Sequence, residues 1–428
     1  MTVIDLGERR DTPAPADPGP GRSLRRWAPA LVALLCLVAP AAAAPWPTQP
    51  TGATIPASPD AYVLAVGGLL LVVDRSGPGA VPDADPVPRL AAHRLPSGRP
   101  LWRVPMPGTG DLSQAVRVGD LMVIETVRAQ TLSEVVGLSV GDGGVRWRGE
   151  GWLDGVTPAG HLLVWGRDAS GTSVLRSVDV VGGAVRWTQR LAVEDVHQPR
   201  RAPRVSLLAV LAGGRLELRD PDTGAVLRAT AVPATTGRPR VLTVTEELVL
   251  LSDGLGALTG YETATLRQRW SMPRGPADKP DAFDCGLLIC VEDGSSGIRL
   301  LDPATGTMRW QTEDVALLGS VGSRMLAVRR NFGGVAEHVL LDAATGRPVR
   351  ELGRWQVDGG MRSADETTVR RRQRDGRLLV GRIDERGEGV RVLAALRGVV
   401  GECGALGSVV VCRRDGGAFG VWELPDAR

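Results

Sequence analysis

The sequence predicts an all-β chain: a β-propeller of four-stranded antiparallel blades, preceded by one N-terminal transmembrane helix. Eight blades is the reading, with seven and nine open. Three observations carry it. A turn mark recurs through the chain at the period of a propeller blade. Short apolar runs separated by turn residues fill the space between marks. One apolar segment, led by arginines, stands near the N-terminus.

The chain has 428 residues, 43% of them apolar, with 55 Gly and 31 Pro. That profile suits many short strands joined by turns. Basic residues number 51 and acidic residues 48, for a formal net charge of +3. So even a balance argues against a bulk polyanion binder, and no nucleic-acid partner is expected. Lys279 is the single lysine, and the arginine excess fits a G+C-rich coding sequence. Two basic runs stand out: Arg200, Arg201 and Arg204, then Arg370, Arg371, Arg372, Arg374 and Arg377. The expectation for both is a solvated edge strand or hairpin, since edges carry charge against pairing. A polyanion-binding patch is the alternative.

Residues 1–26 are polar and rich in Pro, the composition of a disordered tail. The apolar stretch 27–44 follows Arg22, Arg25 and Arg26. Its 18 residues approach the roughly 17–25 needed to span a bilayer. The preceding arginines orient the tail to the cytoplasm. A cleaved signal peptide is the rival reading, since Ala41, Ala42 and Ala43 resemble a cleavage site. Under either reading the remainder lies outside the cytoplasm, held in the cell membrane by one span or secreted. Residues 45–60 read as a linker and 61–425 as the propeller.

The turn mark is clearest in "LLDPATGTMRW" at 300–310. It recurs around Asp220, Asp342 and Asp179, and more loosely at 93–102 and 138–147. A copy at 261–270 lacks the Gly, and one at 382–391 is the most degraded. That makes eight copies. Trp102, Trp147, Trp187 and Trp310 each follow a Gly by four residues, at Gly98, Gly143, Gly183 and Gly306. Trp270 aligns without one, and Arg228 and Arg350 stand at the Trp position after Gly224 and Gly346. Successive Trp are 45, 40, 83 and 40 residues apart, the 83 being two periods. A period of roughly 40–50 residues with strand-like content indicates propeller blades.

Elementary physics gives each residue a part. Asp179, Asp220, Asp302 and Asp342 can accept backbone N–H bonds as the turn opens. The glycine supplies the left-handed conformation that closes it. The indole then leaves on the fourth strand, broad enough to cover the gap between blades while its N–H seeks a carbonyl. Three further strands at 398–425 carry no mark, and the expectation is that they close the ring with an N-terminal strand from the linker region.

Five cysteines are present. Cys36 lies in the apolar segment. Cys285 and Cys290 form one local set, Cys403 and Cys412 another, each spanning a strand-to-strand turn. A turn can bring such Cα atoms within the roughly 4.4–6.8 Å of a disulfide, which export permits. A four-cysteine metal site is the alternative, although neither spacing is C-x-x-C.

The D-x-x-T-G-x-x-x-W mark, as Asp302, Thr305, Gly306 and Trp310, resembles the pyrroloquinoline-quinone-type β-propeller repeat, in the layout of membrane-anchored actinobacterial proteins. Two groups share this repeat: quinoprotein alcohol dehydrogenases, and non-enzymatic propellers similar to the lipoprotein of the bacterial outer-membrane barrel-assembly machinery. The resemblance implies the fold and leaves function open. A quinone enzyme would need a calcium cluster and catalytic Asp on long insertions, and units of nearly uniform length leave little room. Asp195 and His197 make the best local polar cluster, more simply a solvated loop. No G-x-S-x-G or H-E-x-x-H occurs, and His93, His161, His197 and His338 are scattered. The expectation is a non-catalytic scaffold without catalytic, metal or cofactor residues, binding an unknown protein or small ligand at the cell surface. The alternatives are a pyrroloquinoline-quinone-dependent oxidoreductase and an extracellular sensor domain.

Overall fold

The computed structural model describes residues 50 and 52–425, apart from 76–87, 109, 129–131, 192–204, 234–236, 276–279, 293–296, 314, 330–336, 358–367, 385 and 387–388. The tail, the apolar segment 27–44, Cys36, Asp195, His197 and the 200–204 arginines lie outside these residues. Among the described residues no helix is long and apolar enough to cross a membrane.

Nine antiparallel sheets follow one another along the chain. Eight take their strands in sequence order, over 62–105, 111–150, 152–190, 208–231, 240–272, 281–312, 315–353 and 356–396. Each has four strands except the fourth sheet, which shows three among the described residues. The 281–312 unit is representative: Asp281–Asp284, Ile289–Glu292, Ile298–Leu301 and Met308–Thr312. Gly and Asp turns bound these runs, and β-branched and Leu residues fill them, which is why they fold as strands.

The ninth sheet joins the two ends of the chain. Val399–Leu406, Val409–Arg414 and Phe419–Glu423 supply three strands, and Gly52–Ile55 supplies the fourth. Gly52 pairs with Trp422 and Ile55 with Phe419. The closing strand thus lies inside the stretch 45–60 read as a linker. The count of eight is corrected to nine, and the cause is topological. The mark sits in the turn between third and fourth strands. In the ninth sheet those strands come from opposite ends of the chain, so no such turn exists. The first unit, 62–105, is a complete sheet of its own.

The core repeats with the sheets. Nine buried apolar clusters each join one sheet to the next. Leu69 and Leu90 of the first sheet meet Met122 and Val136 of the second. Ile55, Val411 and Val421 of the ninth meet Leu70 and Val72 of the first, which closes the ring. Beside them, Asp74 accepts from Ser58 and pairs with Arg103 at 3.2 Å, pinning the chain just after the closing strand. Second and third strands are mostly buried, whereas fourth strands such as Val185–Arg190 are exposed along most of their length.

Candidate functional site

The turn marks form a chain of clips around the ring. Gly98, Gly143, Gly183, Gly224, Gly306 and Gly346 all have φ between 66° and 72°. The Asp302 carboxylate accepts from the amides of Ala304 (2.8 Å) and Thr305 (3.2 Å), while Gly306 N–H donates to the Asp302 carbonyl at 2.8 Å. Asp179, Asp220 and Asp342 accept amide protons in the same way. Arg309 donates to Asp302, and that bond chiefly holds the carboxyl below its ordinary pKa. For Asp342 the Thr345 hydroxyl does so. Such a carboxylate has its proton affinity spent on a turn.

Each indole reaches the following sheet. Trp102 donates to the carbonyl of Val140 and Trp147 to that of Val180, both at 2.7 Å. Trp187 donates to Asp222 (3.1 Å), Trp270 to Pro303 (2.9 Å) and Trp310 to Ala343 (2.9 Å). The mark's glycine has a second reason here. A Cβ on Gly143, Gly183, Gly224, Gly306 or Gly346 would fall within 2.5–2.8 Å of the preceding sheet's indole. The turn therefore lies directly on the Trp ring, and no side chain fits between.

The departures follow the same rule. The fourth sheet has Arg228 where the indole would stand, and the fifth sheet's mark lacks its Gly. Leu266 occupies that position at φ 55°, 2% exposed, packed with Leu211 and Leu218 of the fourth sheet. The leucine fills the space that an indole fills elsewhere. These residues are architectural.

The cysteines lie in two separate sheets. Cys285 and Cys290 are bonded across the first turn of the sixth sheet, with Cα atoms 5.8 Å apart. Cys403 and Cys412 face each other on adjacent strands of the ninth, 4.0 Å apart. Among the described residues no three His, Cys, Asp or Glu side chains are placed to hold a metal.

The second arginine run forms a hairpin, one of the two settings expected for it, but its strand is not an edge. Thr368–Arg372 is an interior strand of the eighth sheet. Arg370 donates to the carbonyl of Cys403 and Arg372 to that of Val399, both at 2.8 Å. Arg371 stacks 4.5 Å over the buried Trp355 ring. The eighth sheet lacks the Trp clip, and Arg370 and Arg372 bind the ninth sheet instead.

Beside them opens a cleft of about 650 Å³ between the eighth and ninth sheets. Arg372, Arg377 and Arg397 line it with Asp375 and Asp415, over a floor that includes Val399 and Val400. Arg377 pairs with Asp375 at 2.5 Å and so depresses the Asp375 pKa. Arg397 has no hydrogen-bond or ion-pair partner among the described residues. Val400 is 53% exposed. Unspent guanidinium above exposed valine suits a ligand with both carboxylate and apolar groups. Sequence spacing could not find this cleft, because sheet packing brings together residues 372, 397 and 415.

The family model for the outer membrane protein assembly factor BamB matches residues 171–313. No curated protein matches the chain. Among solved structures, BamB from Moraxella catarrhalis is 14% identical, with 89% of this chain and 98% of that chain covered and a TM-score of 0.45. The computationally designed Ika8 protein is 11% identical, over 87% of this chain and all of that one, at 0.44. A eukaryotic initiation factor is 12% identical, over 75% and 90%, at 0.48. Likeness at these scores carries no argument about activity. The nine sheets make this chain a β-propeller, and over residues 171–313 it is similar to the pyrroloquinoline-quinone-type repeat family of that assembly factor.

Proposed function

We propose that the chain is a non-catalytic scaffold that binds a protein partner outside the cytoplasm, tethered to the cell membrane through residues 27–44. The arginine-lined cleft between the eighth and ninth sheets is the observation that carries this reading. It joins unspent positive charge to exposed apolar surface, the mixture found where proteins dock. The two disulfides favour an oxidising compartment, and the apolar segment led by Arg22, Arg25 and Arg26 supplies the route there. The partner segment expected is extended, acidic and partly apolar.

A photo-crosslinking residue at position 400 tests it in intact cells. The expected product is one discrete adduct, lost when Arg397→Glu reverses the cleft charge. An adduct indifferent to that substitution contradicts the reading. Saturable binding of pyrroloquinoline quinone with calcium, accompanied by dye-linked alcohol oxidation, would establish the enzyme alternative in its place.

A further inference from the structure

The floor of the arginine-lined cleft breaks the alternation of its strand. Neighbouring residues of a strand point to opposite faces. Val399 and Val400 nevertheless both line the cleft between the eighth and ninth sheets. The register explains this. Val399 pairs with Arg414, and the next partners are Cys403 and Cys412. Val400, Gly401 and Glu402 therefore stand against Arg413 alone, as a bulge. All three are exposed.

The Cys403–Cys412 bond fixes the pairing beyond the bulge. Cys403 and Ala405 pack against the cluster that holds Val410 and Trp422. A shift by one residue would turn both away from it, whereas a shift by two keeps them on the same face. In that shifted ladder Val400 would pair with Arg413, Gly401 with Cys412 and Cys403 with Val410. The bulge would vanish, and its backbone would enter the ladder. The two cysteines would then stand diagonally, roughly 7–8 Å apart, beyond the reach of a disulfide. The bond thus forbids this register.

It also decides where Val400 points. Arg413 stacks 4.6 Å over Phe419, and Val411 shares a cluster with Leu70 of the first sheet. A residue paired with Arg413 in a regular ladder faces that side. Without the bulge, Val400 would leave the cleft.

The two disulfides differ in access. Cys285 and Cys290 are 5% and 0% exposed. Cys412 is also buried, but Cys403 is part-exposed beside the exposed bulge. Exchange requires that a thiolate reach one sulfur of the bond.

We propose that Cys403–Cys412 is a thiol–disulfide exchange site that sets the shape of the cleft, with a dithiol reductant as its substrate. One thiolate of the dithiol attacks Cys403 Sγ. The S–S bond breaks, and Cys412 leaves with its electron pair and takes a proton. The second thiol of the reductant then displaces Cys403, which takes the second proton, and the reductant closes its own disulfide. Two electrons pass to the protein, and both cysteines end as thiols. The strand slips by two residues, and the cleft loses Val400. The effect on a partner rests on the docking role proposed above.

Dithiothreitol titrated onto the full-length oxidised chain tests this, with thiols counted by alkylation in denaturant after an acid quench. Cys403–Cys412 should open about tenfold or more faster than Cys285–Cys290. In the reduced chain, amide exchange should slow by about tenfold at 400–402 and quicken at 405–406. Removing Gly401 and Glu402 leaves one register throughout, so reduction of that chain should not change exchange. Cys285–Cys290 opening first or together overturns the proposal. So does unchanged exchange in the intact chain after Cys403–Cys412 has opened. Docking is read separately, from the adduct at position 400. Changed exchange with no adduct in either redox state overturns the docking role and leaves the exchange site standing. Unchanged exchange with an adduct in both states does the reverse.

Discussion

Trp147 and Gly183 illustrate how single residues hold this ring. The indole is 9% exposed and donates to Val180, and Gly183 lies flat upon it, with a Cβ there 2.7 Å from the ring. Trp147→Ala should cost about 3–5 kcal/mol, as for other buried aromatics. Gly183→Ala should cost about 1–3 kcal/mol, from its positive φ together with the clash. The double substitution should cost less than the sum, because removing the ring removes the clash. Denaturant unfolding of the four chains checks this, and strict additivity would mean that turn and ring do not touch in solution.

At the scale of the element, the turns marked by Gly98, Gly143, Gly183, Gly224, Gly306 and Gly346 each meet the fourth strand of the sheet before it. The fifth sheet shows the pairing by exception, since Leu266 replaces Gly where Arg228 replaces Trp. Leu266→Gly should relieve a left-handed leucine yet empty a buried site. A net loss of about 2–4 kcal/mol is expected, since cavity cost exceeds strain relief. A gain in melting temperature would show that the leucine fills nothing. Most of this was legible in the sequence, because Asp, Gly and Trp leave local, periodic traces. The ninth sheet was not, because its third-to-fourth-strand turn is replaced by the joining of the chain's two ends. The Thr368–Arg372 strand misled for a related reason. Its arginines look like edge charge, but they reach backbone carbonyls that only sheet packing supplies.

At the scale of the whole propeller, the sheets over 52–425 close into a ring through Gly52–Ile55. A chain beginning at residue 57 loses the fourth strand of the ninth sheet and Ile55 from the closing core. Hydrogen exchange should then rise first in Phe419–Glu423, the strand left without its partner at the opened edge. Uniform protection equal to that of the intact chain would mean that the ring closes without that strand. The arginine-lined cleft is where the proposed partner would bind. It lies between the eighth and ninth sheets and away from the Trp clips, so architecture and binding should be separable. The most direct measurement pairs thermal unfolding with cell-surface crosslinking at position 400 for Arg397→Glu and Trp147→Ala. Arg397→Glu should keep the wild-type melting temperature and lose the adduct, and Trp147→Ala should melt earlier yet retain the adduct while folded. An adduct that survives Arg397→Glu, or one that a still-folded Trp147→Ala chain has lost, would contradict that separation.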